Sequence, residues 1–406
     1  MRHVLKRAKR AGSGIAAALV WTGLLAGLTG CAREGVTSDA KPRPRGETIR
    51  ITPQDGAKGI GAAEKVEVRV RDGRLERVRV VQIEDGRPTA LPGRISVDGR
   101  VWTPERGARI ALAAKYSVDA VAVDALGRRS ARHTTFTTAV PTDEFIGYFS
   151  PENGETVGTG MIVSFDFNRR IRDRAAVERG IEVTSDPPVD VVGHWFGDQR
   201  LDFRPRAYWK PGSEVTIRIR LRDVQAAPGV FGSQHKSVGF RVARSQVSLV
   251  DAKKHTMEVR RDGLLVNTLP ITAGAPGNTT YNGKMVVTEL YDVTRMNGET
   301  VGFGGEYDID DVPHALRLTT SGTFLHGNYW ASEETFGAEN VSHGCVGLRD
   351  AKGGDPDSPA GWFFGRTLIG DVVEVVNSPD RTVAPDNGLG GWNLSWERWK
   401  EGSAVH

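Results

Sequence analysis

The chain has 406 residues, of which 39% are hydrophobic and 26% are charged, and its formal net charge is +4. Acidic and basic residues are well mixed, so the charge is too small and too diffuse to indicate a nucleic-acid-binding protein. The sequence has two cysteines, which excludes a disulfide framework and a zinc site built from cysteine pairs. The length predicts two or three domains after the amino-terminal segment.

Residues 1–30 have the features of a secretory signal peptide. Basic residues within positions 2–10 precede an uncharged apolar stretch, 15–28. That stretch is too short for a comfortable membrane span of about 20 residues. It leads into Leu28-Thr29-Gly30-Cys31-Ala32, which resembles the lipobox of bacterial lipoproteins, whose cysteine is acylated and becomes the first mature residue. A signal peptide that merely contains a cysteine is the alternative.

Acylation of Cys31 predicts a lipoprotein on the extracytoplasmic face of the cell membrane, facing the cell wall. Each buried methylene contributes about 0.8 kcal/mol, and two acyl signals anchor a protein stably. Residues 31–47 contain Arg, Glu, Lys, Pro and Gly without apolar periodicity. This composition predicts a disordered tether.

Two segments of alternating apolar and polar residues follow, at 48–141 and 142–243. Val66–Val70 and Tyr116–Asp124 show the alternation in the first segment, and Val215–Leu221 shows it in the second. Period-two patterns separated by turn signals predict two antiparallel sandwiches of the immunoglobulin type.

The two predicted sandwiches are interpreted as a spacer that holds the next domain away from the membrane. Trp102, Trp195 and Trp209 are more typical of core anchors than of sugar platforms. A wall-binding role for these modules is the alternative.

Residues 244–377 are again rich in predicted strands, and they contain Cys345, the only cysteine besides Cys31. The expected strands are Ser245–Val250, His255–Val259, Leu264–Val266, Met285–Leu290 and Ala315–Leu318, followed by strands that carry His326 and Cys345. Residues 378–406, with three tryptophans, are expected to pack on this domain. The predicted fold is mostly β: two N-terminal immunoglobulin-like sandwiches, then a β-rich catalytic domain with a short C-terminal aromatic subdomain.

Cys345 lies beside a histidine in a run of small residues, which predicts a nucleophile. A thiol of ordinary pKa, about 8.5, is only slightly ionised at neutral pH, so it needs a base. His343 and His326 are the candidates, and His326, on a neighbouring strand, is better placed to aim a ring nitrogen at the sulfur. No carboxylate lies within six residues of His326, so the Gly327 carbonyl is the expected acceptor for its other nitrogen.

Glycines beside the cysteine let backbone amides approach an oxyanion. The amides expected to do so are those of His343, Gly344 and Cys345. Ser321 and Gly322 are expected to present main-chain groups to a peptide, and 330–340 is expected to be a mobile loop beside the cleft. A buried structural cysteine or an intermolecular bridge is one alternative. A zinc hydrolase is the other, with ligands drawn from His314, His343, Asp310 and Asp311.

The run His326-Gly327-Asn328-Tyr329-Trp330, followed by Ser342-His343-Gly344-Cys345, resembles the signature of the L,D-transpeptidases, the YkuD-domain enzymes. Asp371–Asn377 resembles the last strand of that domain. Gly391–Trp399 resembles the aromatic extension of mycobacterial and actinobacterial members, which also carry two immunoglobulin-like modules. One position departs from the motif, because Gly347 stands where the family usually has Asn. That substrate contact must come from a main-chain group or another side chain.

The resemblance implies a peptidoglycan L,D-transpeptidase. Cys345 would attack the third, diamino-acid residue of a tetrapeptide donor stem and release D-alanine, and the side-chain amine of an acceptor stem would resolve the thioester into a 3→3 cross-link. His326 would be the base and then the acid, oriented by Gly327. The substrate contacts implied by the resemblance, or expected beside it, are Tyr307, Ser321, Gly322, Trp330, Ser342 and Gly347. No cofactor or metal is implied, and carbapenems are expected to acylate Cys345.

Two other outcomes use the same thioester. Water as the acceptor makes an L,D-carboxypeptidase, and an amine on a protein attaches that protein to the wall. A non-enzymatic wall-binding lipoprotein is the alternative of a different class. The pairing of Cys345 with His326 argues against it, because a binding protein needs no activated thiol.

Overall fold

The computed structural model describes residues 49–83, 88–298 and 308–406. The predicted signal peptide and tether, Cys31 and Tyr307 lie outside these residues. Within the three described ranges, no helix is long and apolar enough to cross a membrane. The described residues form two sandwiches followed by a nine-stranded sheet, so the predicted mostly β fold is confirmed.

The first immunoglobulin-like sandwich has two sheets, of orders β1-β3-β7-β6 and β2-β9-β8-β4-β5. Its strands are β1 (Ile49–Thr52), β2 (Ala57–Ile60), β3 (Glu67–Val70), β4 (Arg74–Ile83), β5 (Thr89–Ala90), β6 (Gly93–Ile95), β7 (Val101–Pro104), β8 (Lys115–Val123) and β9 (Arg129–Thr138). In β8 alternate residues from Tyr116 to Ala122 are buried, because successive side chains of a strand point to opposite faces.

The second sandwich encloses its core between sheets of order β11-β13-β16-β15 and β12-β20-β17-β14, with a small sheet, β10-β19-β18, beside them. Its elements are β10 (Asp143–Phe145), β11 (Gly147–Ser150), β12 (Thr156–Val157), β13 (Val163–Phe167), helix α1 (Arg174–Arg179), β14 (Ile181–Asp186), β15 (Val191–Phe196), β16 (Arg200–Pro205), β17 (Glu214–Arg220), β18 (Gln225–Ala227), β19 (Val230–Gly232) and β20 (His235–Val242).

The tryptophans of both sandwiches are core residues, which confirms the structural interpretation. Trp102, Trp195 and Trp209 are at most 6% exposed. The Trp195 indole donates to Glu178 at 2.8 Å, and the Trp209 indole donates to the Met161 carbonyl at 2.7 Å. Because buried indole N–H groups need such acceptors, these side chains stabilise the core and present no open ring face to a sugar.

The third domain is built on a single sheet of order β24-β29-β21-β22-β23-β28-β27-β26-β25. Its elements are β21 (Gln246–Asp251), β22 (Thr256–Arg261), β23 (Leu264–Thr272), β24 (Gly283–Val286), β25 (Glu289–Asn297), β26 (Asp308–Arg317), β27 (Phe324–Asn328), a 3-10 helix (Glu333–Thr335), β28 (Val346–Arg349), helix α2 (Pro359–Phe364) and β29 (Val372–Val376). In this order β27 and β28 are neighbours, and they are parallel.

The predicted strand Met285–Leu290 is wrong, because this run forms parts of two strands. β24 ends at Val286 and pairs with β29, whereas β25 begins at Glu289 and pairs with β26. These strands are opposite edges of the sheet order, and only Val287 and Thr288 connect them. The alternation pattern missed the crossing because Val287 is buried like its neighbours, so the apolar run continues through it.

The first part of the C-terminal extension packs on the third domain. Val383 belongs to that domain's apolar core. Asn387 donates a hydrogen bond from its side chain to Ser321 Oγ at 2.8 Å. This half of the extension therefore lies where the sequence predicted it.

The tryptophans of the extension require a correction, because they insert into the second sandwich instead. They lie on a 3-10 helix (Gly390–Asn393) and on helix α3 (Trp396–Glu401). The indoles of Trp392 and Trp399 donate to main-chain carbonyls of that sandwich at 2.7 and 2.9 Å. Sequence could not choose between the two domains, because an aromatic run shows that a segment packs but does not show its partner.

Arg204 of the second sandwich holds these indoles through its guanidinium, an arrangement called here the Arg204 cage. The guanidinium carbon lies 4.7, 5.5 and 4.4 Å from the ring centroids of Trp392, Trp396 and Trp399. Arg204 is 2% exposed, and burial lowers its pKa to about 10, so it stays charged at neutral pH. It also donates to the Leu394 carbonyl at 2.9 Å.

The Arg204→Met variant is expected to lower the free energy of unfolding by about 2–4 kcal/mol, because desolvated cation–π contacts and a hydrogen bond are lost. Urea unfolding followed by tryptophan fluorescence measures this change. Arg206→Met is the matched control, since Arg206 is exposed and its loss is expected to change stability by less than about 0.5 kcal/mol. Equal stabilities for the two variants would contradict a stabilising cage.

Candidate active site

The parallel pairing of β27 with β28 brings the predicted nucleophile and base to one face of the sheet. Leu325 pairs with Val346, and His326 pairs with Gly347. Leu325 and Val346 are fully buried in the core. Because side chains alternate along a strand, His326 and Cys345, each one residue from this core pair, point to the opposite face.

His326 and Cys345 line the same cavity, which has a volume of about 140 Å³. The other residues that line it are Met296, Ile309, Asn328, Trp330, Val341, Ser342 and His343. The cavity therefore brings together five residues that the sequence analysis named: His326, His343, Cys345, Ser342 and Trp330. Sequence reasoning missed the remaining four, because apolar residues and a lone Asn carry no catalytic signal of their own.

The thiol of Cys345 lies among main-chain groups. The Phe324 amide donates to Sγ at 3.4 Å, and Sγ lies 3.7 Å from the Gly322 carbonyl oxygen. Burial raises the pKa of the thiol to about 11, and the Phe324 amide opposes this only in part. Cys345 is therefore a protonated thiol at neutral pH, and any reaction that needs its thiolate requires a base.

The His326 ring is held in one tautomer by its neighbour. Nδ1 donates to the Gly327 carbonyl at 2.9 Å, which leaves Nε2 as the proton acceptor of the neutral ring. Burial lowers the pKa of His326, and the hydrogen bond to Gly327 opposes this shift. The Trp330 indole stacks on the imidazole at 5.6 Å between centroids. The imidazole of His326 is thus neutral at neutral pH, and the Gly327 carbonyl fixes its orientation.

The two pKa shifts predict how Cys345 reacts with iodoacetamide. Because the thiol of the folded protein stays protonated, its alkylation rate is expected to rise about tenfold per pH unit from pH 7 to 10, without a plateau. In the urea-unfolded chain the rate is expected to level off above the ordinary thiol pKa of about 8.5. Peptide mapping by mass spectrometry follows Cys345 separately from Cys31. A plateau below pH 7 in the folded protein would indicate a preformed thiolate–imidazolium pair and contradict the neutral pair.

The turn before Cys345 depends on Gly344 and Ser342. Gly344 has φ +109°, a conformation that residues with side chains rarely adopt. Ser342 Oγ donates to the Cys345 carbonyl at 2.6 Å and accepts from the Gly344 amide at 3.2 Å. The Gly344 amide, one of the predicted oxyanion donors, is engaged by this hydroxyl, so it can bind an oxyanion only by exchanging that hydrogen bond.

The other predicted substrate contacts differ in position. Gly322 touches the sulfur through its carbonyl, whereas Ser321 does not line the cavity. Its amide donates to Asn387 Oδ1 at 3.0 Å, which ties it to the C-terminal extension. Gly347 has no room for the Asn that the family motif carries, because an added Cβ would lie 2.8 Å from Thr272 Cγ2.

Asp350, which the sequence analysis did not identify, lies against Gly327. A Cβ on Gly327 would lie 2.1 Å from Asp350 Oδ2, so only glycine fits beside the base. The same Oδ2 accepts from His314 Nδ1 at 2.7 Å, and Oδ1 accepts from Ser358 Oγ at 2.9 Å. Asp350 lies one residue after β28, so the pairing of the two strands, which sequence does not show, creates this contact.

The zinc alternative has no geometric support among the residues that the structure describes. No group of three or more His, Cys, Asp or Glu side chains there could hold a metal ion. His314 pairs with Asp350, while Asp311 accepts a hydrogen bond from Tyr329 at 2.5 Å. His314 and Asp311 are therefore each engaged by a different partner.

Comparisons with known proteins agree with this architecture. A bacterial Ig domain family matches residues 57–225, and the L,D-transpeptidase catalytic domain family matches residues 245–375. L,D-transpeptidase 2 of Mycobacterium tuberculosis is 32% identical over 356 residues, covering 86% of this chain and 83% of the relative. L,D-transpeptidase 5 of the same species is 28% identical over 385 residues, covering 93% and 82%. A solved structure of the LD transpeptidase LdtMt1 in complex with imipenem is 28% identical with a TM-score of 0.49, covering 58% of this chain and 100% of that one.

Proposed function

The chain belongs to the L,D-transpeptidase family, and on that premise we propose that it joins peptidoglycan stem peptides by 3→3 cross-links through a thioester on Cys345. The observation that carries the proposal is the convergence of Cys345 and His326 in one cavity, with His326 Nδ1 bonded to the Gly327 carbonyl. A nucleophile, a base and a group that orients the base are the parts that acyl transfer requires.

In the acylation step, Nε2 of His326 takes the thiol proton while Sγ of Cys345 attacks the carbonyl carbon of the third residue of a tetrapeptide stem. The tetrahedral oxyanion is stabilised by amides of the turn that ends at Cys345. The bond to D-alanine then breaks, and the imidazolium protonates the leaving amine. A thioester remains, and the histidine is neutral again.

In the second step, the side-chain amine of an acceptor stem attacks the thioester carbonyl. His326 accepts a proton from that amine, the thiolate leaves as the new amide forms, and the proton returns to the sulfur. The two pKa shifts suit these steps. The raised pKa of the Cys345 thiol keeps on the sulfur the proton that the first step transfers. The lowered pKa of the His326 imidazole keeps the ring unprotonated, so it can accept a proton at the start of each step.

The acceptor determines which of three activities the thioester supports. A diamino-acid side chain gives a cross-link, water gives L,D-carboxypeptidase activity, and an amine on a protein gives attachment to the wall. The family relatives are named as transpeptidases, which favours the first. Incubation with purified disaccharide-tetrapeptide tests this: cross-linked dimers with loss of one D-alanine are expected by mass spectrometry, and monomeric tripeptide alone would indicate hydrolysis instead.

Two further properties complete the proposal. Cys31 carries a lipid anchor, which places the enzyme on the extracytoplasmic face of the cell membrane with its catalytic domain toward the wall, and the sandwiches act as the spacer. Carbapenems acylate Cys345, because a strained β-lactam carbonyl presents the same electrophile as the stem peptide. Metabolic labelling with a palmitate analogue tests the first property, and the labelling is expected to disappear in the Cys31→Ala variant.

A further inference from the structure

Asn328 of β27 lies in the cavity beside the base. Because side chains two apart on a strand share a face, Asn328 lies on the same face as His326. Asn328 is 3% exposed and lines the cavity that Cys345 also lines. A buried amide side chain at this place has to be accounted for by hydrogen bonds.

One half of that amide group is fixed by the loop that follows β27. Asn328 Oδ1 accepts hydrogen bonds from the Trp330 amide at 3.2 Å and the Ala331 amide at 3.0 Å. Two backbone donors on the same atom identify it as the oxygen, so the nitrogen is the other atom and its direction is set. The hydrogen bonds that the structure shows for this side chain are both made to Oδ1.

The absence of a side chain at position 347 leaves this nitrogen uncovered. Gly347 lies opposite His326 in the neighbouring strand, and a Cβ there would lie 3.5 Å from Asn328 Nδ2. The cavity therefore offers a fixed donor with two N–H bonds, next to the base. The cavity is lined partly by apolar side chains such as Met296 and Ile309, so an acceptor oxygen that enters it gains from a hydrogen bond to this donor.

We infer that Asn328 Nδ2 donates a hydrogen bond to a carbonyl oxygen of the acyl donor, next to the carbonyl that Cys345 attacks. This inference rests on the proposed function, since it names a group that holds the donor stem in the same cavity. It assigns to Asn328 a substrate contact in addition to its role in the loop. Asn328 would also supply a side-chain amide near position 347, where the family motif usually has Asn and this chain has Gly347.

The Asn328→Asp variant separates the two roles. Its carboxylate keeps an oxygen for the Trp330 and Ala331 amides but replaces the donor by an acceptor. Acylation of Cys345 by the disaccharide-tetrapeptide is expected to slow about 100-fold at low substrate, as for loss of one oriented donor in an active site. The free energy of unfolding is expected to fall, because the carboxylate is a buried charge, so the rates are compared under conditions where circular dichroism shows both proteins to be folded. Asn328→Ala, which loses both roles, is expected to be equally slow and also less stable.

The new charge of Asn328→Asp also affects the thiol, and iodoacetamide measures that effect separately. Its reaction with Cys345 needs no oriented acceptor, so any change in alkylation rate reports the pKa of the thiol alone. The deficit in acylation is expected to exceed the deficit in alkylation by at least about tenfold. Asn393→Asp is the matched control, because Asn393 is bonded through both ends of its amide to Lys284 and lies outside the cavity.

The outcomes distinguish this inference from the proposed function. If the wild type is not acylated by the tetrapeptide, the proposed function fails. If the wild type is acylated and Asn328→Asp reacts at the same rate, or slows only as much as its alkylation does, Asn328 serves the loop alone and the inference is overturned.

Discussion

Release of D-alanine from a disaccharide-tetrapeptide is expected to stop when Cys345 is replaced by Ala. Among the residues described around the cavity, Cys345 shares it with the imidazole that the Gly327 carbonyl orients, and under the proposed function its thiol forms the acyl intermediate. A loss of about 10⁴-fold or more is expected, as for removal of a catalytic nucleophile. Liquid chromatography with mass detection of D-alanine measures this.

His326→Gln is expected to give a similar loss at neutral pH, because glutamine cannot accept the thiol proton and burial keeps the thiol protonated. Its activity is expected to increase with pH as direct ionisation replaces the base. His343→Gln is the control that separates the two histidines, and a smaller loss is expected because the bond from His326 Nδ1 to the Gly327 carbonyl leaves His326 Nε2 as the proton acceptor. If the His343 variant is as inactive as the His326 variant, the assignment of His326 as the base is wrong.

Gly327→Ala is expected to have a large effect on both stability and activity, although it adds only a methyl group. The new Cβ would lie 2.1 Å from Asp350 Oδ2, so one of the two must move. Displacing Asp350 breaks its buried hydrogen bonds with His314 and Ser358, and a hydrogen bond to a charged group contributes about 1.5–3 kcal/mol. Displacing β27 moves the base instead, and a shift of about 1 Å costs about 100-fold in rate.

Urea unfolding and the rate of acylation, measured on the same preparation, test both consequences of Gly327→Ala. Gly61→Ala is the matched control, because the nearest atom to an added Cβ there is 3.6 Å away and Gly61 lies in the first sandwich. That variant is expected to keep wild-type activity. Wild-type stability and activity in Gly327→Ala would show that Asp350 does not constrain the position of β27.

Alternation was sufficient to predict the strands that lie within one sheet. β8 is an example, since its buried and exposed residues follow the sequence pattern from Lys115 to Val123. It was insufficient where the chain changes its partner strand, as between β24 and β25, because local pattern records burial and not pairing. The direction in which the C-terminal indoles pack was missed for a related reason, since the Arg204 cage joins residues almost 200 positions apart.

That Cys345 and His326 lie in one cavity was predictable, because each belongs to a short, characteristic run of the sequence. Asp350 and Asn328, which lie beside glycines of the neighbouring strand, were not predictable in this way. Asp350 lies against Gly327, and Asn328 lies beside Gly347, because β27 and β28 are parallel neighbours. An Asp or an Asn at those positions is not unusual in a sequence. Their roles become visible only when the distance to the neighbouring strand is known.

The most direct test of the central claim is the mass of the intact protein after brief incubation with the tetrapeptide or with a carbapenem. We expect one covalent adduct, located on Cys345 by peptide mapping, that forms fast in the wild type and slowly in His326→Gln. An adduct that forms equally fast without the imidazole, or that maps to another residue, would contradict proton transfer from the Cys345 thiol to His326.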